Sequence, residues 1–141
     1  MRALLFKALE FDWYGTQRPI DKVLYGMPAR ISLECAGKTE TAWVMDEFLE
    51  DCGIWCNKCI SPETICQWTG LRDSGHQRIF EWDIVEITLL ETGAKEKHVV
   101  FYKDGAFFFG KDPILHYIGT MDYDFRVVGN SKTKEGIQDR R

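Results

Sequence analysis

A chain of 141 residues with 45% hydrophobic residues suits one domain, or two small lobes sharing a core. Its formal charge of −4 excludes general attraction to nucleic-acid phosphates and leaves only a local basic patch for that role. No stretch reaches the length of a membrane span, and the five cysteines point to thiols or a metal rather than to disulfides.

The opening residues, MRALLFKALEFDWYG, contain an apolar run broken by Lys7 and Glu10, with no small-residue cleavage site after it. A cytoplasmic protein is expected. Residues 30–35 alternate, with Ile31, Leu33 and Cys35 on one face and Arg30, Ser32 and Glu34 on the other. That pattern is a half-buried strand. Ala36-Gly37-Lys38 turns the chain, and residues 39–45 return as the second strand of a hairpin. Residues 45–49 are expected to start a short helix that Cys52 and Gly53 end, and 50–60 shows no period and reads as a loop. Ser61-Pro62-Glu63-Thr64 has the form of a helix start, with a serine cap, proline at the first position and an acid in the first turn. Gly70 limits that helix to a turn or two.

The second half is a run of strands and turns. Residues 66–69 form a short strand and Asp73-Ser74-Gly75 a turn. Residues 84–90 alternate, with Val85, Ile87 and Leu89 opposing Glu86, Thr88 and Leu90. Thr92-Gly93-Ala94 turns the chain and residues 97–103 return. Asp104-Gly105 is a hairpin turn, because glycine accepts positive φ without steric cost. Phe107-Phe108-Phe109 follows, and three successive aromatics on a strand must serve both faces. One of those faces is a candidate oligomer contact. His98 alternates outward from its strand, and His116 belongs to a barrel edge. Residues 124–128 form the last strand, ended by Gly129-Asn130, and 131–141 is a polar, mildly basic tail, mobile at its end. Short strands with turns about every ten residues indicate a small antiparallel barrel or sandwich. Residues 79–129 suit an SH3-like barrel.

Cys52, Cys56 and Cys59 stand at the C-x3-C-x2-C spacing that can hold an iron–sulfur cluster. That chemistry needs the mouth of a large β/α barrel, longer than this chain, and it is set aside. Two readings stay open. Thiolates from Cys52, Cys56, Cys59 and Cys66, with His76 as an alternative fourth ligand, would let zinc staple a loop that lacks its own core. Otherwise the cysteines are free thiols and there is no cofactor. Nothing in the chain pairs a nucleophile with a base, and no Gly-rich phosphate loop is present, so no enzyme is expected.

Residues 61–87, SPETICQWTGLRDSGHQRIFEWDIVEI, resemble the signature of the YopX family, small proteins of phages and prophages. Pro62-Glu63-Thr64 is similar to its opening, Gln67-Trp68-Thr69-Gly70-Leu71 to its Q-Y-T-G-L, and Asp83-Ile84-Val85 to the entry into its barrel. Phe6-Lys7-Ala8, Val23-Leu24-Tyr25-Gly26 and Val127-Val128-Gly129-Asn130 are similar to further family segments. Two departures stand out. Trp82 replaces a glycine, so if that position needs positive φ, Trp82 requires another backbone solution or presents its ring as a contact surface. The chain end lacks the family's usual closing residues.

The resemblance implies a mostly β protein of phage origin and a homo-oligomer. It implies an N-terminal β-rich lobe, residues 1–60 with the cysteine loop, joined to a C-terminal barrel, residues 61–130. It implies no activity. Trp68, Thr69, Arg72, Asp73, Arg78, Trp82 and Asp83 are the candidate binding residues, although Thr69, Asp73 and Asp83 equally suit turns and loops. The expected function is binding of a host protein. The alternatives are sequestration of a nucleotide signal, for which Arg72, Arg78 and Trp82 would have to lie together, and nucleic-acid regulation through the tail.

Overall fold

The computed structural model describes residues 4–35, 37–110, 112–114, 117 and 122–133. Ala36, His116 and the tail from residue 134 lie outside the described residues. The protein is mostly β, and its chain forms two units, Leu4–Gln67 and the part from Trp68 on.

In the first unit β1 (Phe6–Phe11) is central, with Lys7, Ala8 and Leu9 buried. It pairs antiparallel with β2 (Pro19–Gly26) on one edge. On the other edge it meets β5 (Ile54–Ile60) through Glu10–Ile60 and the first residues of β6 (Cys66–Arg72) through Phe6–Gln67 and Lys7–Cys66. β3 (Ala29–Cys35) and β4 (Lys38–Leu49) continue from β5 as an antiparallel meander. Ala8, Leu24, Met45 and Ile60 form the core, with Phe6, Trp43 and Ile65 packed against it.

The β3–β4 hairpin follows the alternation of residues 30–35. Residues 45–60 do not follow the expected helix and loop. Met45–Leu49 continues β4, and residues 54–60 are β5, paired from Trp43–Ile60 to Leu49–Ile54. The period of two is hidden there because polarity does not track exposure. Glu47 is half-buried and bonded to Lys22, whereas Phe48 opposite Trp55 is exposed. Cross-strand aromatic pairing and the β4–β5 ladder stabilise the hairpin without a covered face at its tip.

Ser61 precedes a short 3-10 turn, Pro62–Thr64, but its hydroxyl makes no cap bond. Thr64 closes the turn instead. Its Oγ1 donates to Ser61 O at 2.7 Å and accepts the Leu9 N–H at 2.9 Å, tying the turn to β1.

In the second unit β7 (Arg78–Phe80) pairs with the later part of β6. A curled, half-barrel sheet runs in the order β11-β10-β9-β8-β12, with β8 (Asp83–Leu89), β9 (Lys95–Lys103), β10 (Ala106–Phe109), β11 (Asp112–Pro113) and β12 (Tyr123–Asn130). Asp104 and Gly105 have φ of 50° and 82°, the left-handed pair that a tight β9–β10 turn needs. Phe107 and Phe109 enter the core with Val85, Val100 and Phe125, while Phe108 stacks on Phe101 at 5.5 Å on the other face. The last strand does not end at Val128. It runs to Asn130 past an irregularity between Val127 and Gly129, because Asn130 pairs with Asp83. Among the described residues no helix is long and apolar enough to cross a membrane.

Candidate functional site

The segment from Trp68 to Asp83 is a strand, a five-residue loop and a strand, and most of its polar side chains bond to its own backbone or to β12. Thr69 Oγ1 donates to Ile79 O at 2.7 Å and accepts the Leu71 N–H at 3.2 Å. Gly70 between them has φ of 88°, which a side chain rarely adopts. Asp73 holds the loop. One carboxylate oxygen accepts the Gly75 and Gln77 N–H groups, both at 2.9 Å, and the other accepts the Val127 N–H at 2.9 Å. Ser74 adds two more bonds to Phe125 of β12.

Asp83 is wholly buried. It accepts the Phe80 N–H at 2.7 Å and the Asn130 side-chain amide at 2.8 Å. Asn130 Oδ1 in turn accepts the Lys132 and Thr133 N–H groups. A charge-assisted bond of this kind is worth about 1.5–3 kcal/mol, and an orphaned buried donor costs a similar amount. These residues therefore hold the loops at 73–77 and 80–83 in place.

Trp82 sits in the left-handed region that glycine adopts without steric cost, with φ of 65°. The strain is held by its flanking bonds. Its N–H donates to Val100 O at 2.7 Å, and its carbonyl accepts the Ser131 N–H at 2.8 Å. Lys132 Nζ lies 4.8 Å from the ring. The two arginines gather on a different tryptophan. Arg72 and Arg78 lie 5.7 and 5.2 Å from the Trp68 ring, and Trp68 Nε1 donates to Leu71 O. Arg72 also donates to His76 O at 2.9 Å. The cue for a nucleotide site, both arginines beside Trp82, is replaced by two guanidinium groups on Trp68.

Beside the signature lies a mostly apolar pocket of about 310 Å³, lined by Thr69, Gly70 and Leu71 on one side and by Ala106, Phe107 and Ile114 on the other. Sequence reasoning missed it, because the β9–β10 turn reaches it only through tertiary pairing.

The four thiols are dispersed. Cys52 sits exposed in the β4–β5 turn. Cys56 and Cys59, three apart on an extended strand, point to opposite faces. Cys66 is buried on β6 and donates to Thr64 O at 3.2 Å. Burial, reinforced by the Glu10 carboxylate, pushes the Cys59 thiol pKa up. His76 lies in the β6–β7 loop, its N–H bonded to Asp73 O. Among the described residues no three His, Cys, Asp or Glu side chains gather as a metal ion needs. The charged cluster that does form is Lys22 with Glu47 at 2.9 Å and Glu10 at 3.8 Å. It was illegible before the β1, β2 and β4 registers were known.

These features define a mostly β protein whose signature segment is stitched to the last strand by side-chain bonds. The chain belongs to the YopX family: the family model described as YopX protein matches residues 29–134. That stretch holds the whole 61–87 segment and the closing Val127–Asn130, while the similarities at residues 6–8 and 23–26 precede it. No curated protein and no solved structure matches the chain. Family membership suggests a phage-type accessory protein.

Proposed function

We propose that this chain is a non-enzymatic accessory protein that acts in the host cytoplasm by binding a host protein, and that it does so as a homo-oligomer. In this reading the curled sheet of the second unit closes as an SH3-like barrel and serves as scaffold. The observation that carries the reading is the tip of the β4–β5 hairpin. Phe48 and Trp55 are 46% and 68% exposed, their rings 5.3 Å apart, and Ile54 beside them is 53% exposed. Asp46, Glu50 and Asp51 surround them with exposed acids. An exposed aromatic pair with a charged rim has the anatomy of an interface anchor. The fitting partner is a protein surface with an apolar pocket and a basic rim. The use of Thr69, Asp73 and Asp83 in holding loops also favours binding over catalysis.

The test compares capture from bacterial lysate by the tagged chain and by Phe48→Ser/Trp55→Ser, read by quantitative mass spectrometry. A host protein depleted at least tenfold from the variant supports the reading, since one buried aromatic anchor accounts for about 2 kcal/mol or more. Identical capture by both overturns it.

The apolar pocket beside Gly70 favours a second reading, a small-molecule binder. Native mass spectrometry separates the two. Extra mass of a few hundred daltons per subunit, roughly one small ligand, supports a sequestered small molecule, and bare subunits count against it. The nucleic-acid reading rested on the tail, most of which lies outside the described residues.

A further inference from the structure

The strand order of the first unit leaves β3 at an end. It pairs with β4 on one side, and among the described residues no strand pairs with the other. The register tells which backbone groups point outward. A two-residue turn joins β3 to β4, with Cys35 opposite Lys38. The pair closing such a turn exchanges both of its backbone bonds, and bonded and non-bonded pairs then alternate along the ladder. The backbones of Leu33 and Ile31 therefore bond inward to β4. Arg30, Ser32 and Glu34 point their N–H and C=O groups outward, and all three residues are exposed.

A second β3, antiparallel with its two-fold axis at Ser32, would place Arg30 opposite Glu34 of the second copy, and Glu34 opposite its Arg30. Ser32 would face Ser32. The same register makes all three positions bonded pairs, so every outward group finds a partner. It also sets Ile31 opposite Leu33 in the ladder. An axis at Arg30 or at Glu34 would instead set like charges against each other, which is unfavourable. Charge complementarity thus selects one register. Within its own hairpin neither charge faces an opposite one: Arg30 lies across from Trp43, whose ring is 5.7 Å away, and Glu34 across from Thr39. Edge strands are commonly blocked by lysine, proline or a bulge. β3, ARISLEC, contains none of these.

We propose that β3 is a self-pairing edge on which a second copy of this chain adds its own β3, making a two-fold dimer centred on Ser32. This rests on the homo-oligomer in the function proposed above and names its surface.

The experiment is size-exclusion chromatography with light scattering on the full chain, over a micromolar concentration series. The expected mass is twice the 16.4 kDa of one chain. Arg30→Glu should weaken the dimer at least tenfold, and the swap Arg30→Glu/Glu34→Arg should restore it. Ser32→Pro should give a monomer with an unchanged circular dichroism spectrum, because the lost N–H points outward and an edge strand tolerates proline there. A monomeric wild type overturns the proposal. So does an assembly that Arg30→Glu and Ser32→Pro leave unchanged, or one that the swap fails to restore. Phe48→Ser/Trp55→Ser should stay dimeric, so loss of host capture and loss of the dimer are read apart.

Discussion

At the scale of single residues, Trp82 is the most informative position. A non-glycine residue at φ of 65° costs about 1–2 kcal/mol relative to a relaxed backbone. Contact between Lys132 and the ring returns about 0.5–1 kcal/mol. Together with the entropic cost of placing a glycine there, about 0.5–1 kcal/mol, that contact offsets the strain, so Trp82→Gly should change stability by less than about 1 kcal/mol. Trp82→Val keeps the strained φ, loses the ring and adds a β-branch, and should cost about 2 kcal/mol more than the glycine variant. Urea denaturation of the two variants checks the ordering. Equal stabilities would show that the turn relaxes out of the left-handed region. The position was flagged by the sequence, but the outcome was not, because only the bonds to Val100 and Ser131 show that the turn cannot give way.

At the scale of elements, the β4–β5 hairpin makes a prediction on its thiols. Alkylation requires thiolate, so a raised pKa slows it at any fixed pH. Cys52 is exposed in the turn and should react first with iodoacetamide at mildly alkaline pH. Cys59 should lag, because burial and the Glu10 carboxylate both hold its proton on, and buried Cys66 should react only on unfolding. Glu10→Gln should speed Cys59. Peptide mapping of timed samples reads the order, and Cys59 reacting as fast as Cys52 would restore the loop expected for residues 50–60. That loop shows where sequence legibility stopped. The strands read from alternation in residues 30–35 and 84–90, and the Asp104-Gly105 turn, followed from local chemistry and appear in the fold, the second strand ending at Leu89. In β5, Cys56 and Cys59 imitate a metal loop, and Glu47 on β4 breaks the hydrophobic period, because its partner Lys22 lies on a strand distant in sequence. The signature residues were legible as a set. Their roles were not, since Asp83 is explained by Asn130 and Asp73 by Val127, each about fifty positions away.

For the whole molecule, the two units differ in what holds them. Among the described residues the second unit gathers nine buried apolar side chains in one cluster, and the first gathers four. Each such side chain contributes about 1.5–3 kcal/mol when fully buried, Ala8 less. The second unit also has the Asp73 and Asp83 carboxylates fixing its loops against β12. The first unit spends much of its length on exposed strand: most of β2 is open, and the hairpin tip has no cover. Local opening therefore begins in the first unit. In native hydrogen exchange, amides of β8 and β9 should outlast those of β3 and β4 by at least about tenfold, which corresponds to about 1.4 kcal/mol. Dimerisation on β3 would narrow the gap, since outward amides of Arg30, Ser32 and Glu34 become bonded. Their protection should then rise with protein concentration, by mass action, while that of β8 stays level. Equal exchange in both units at every concentration would mean that the chain opens only as a whole.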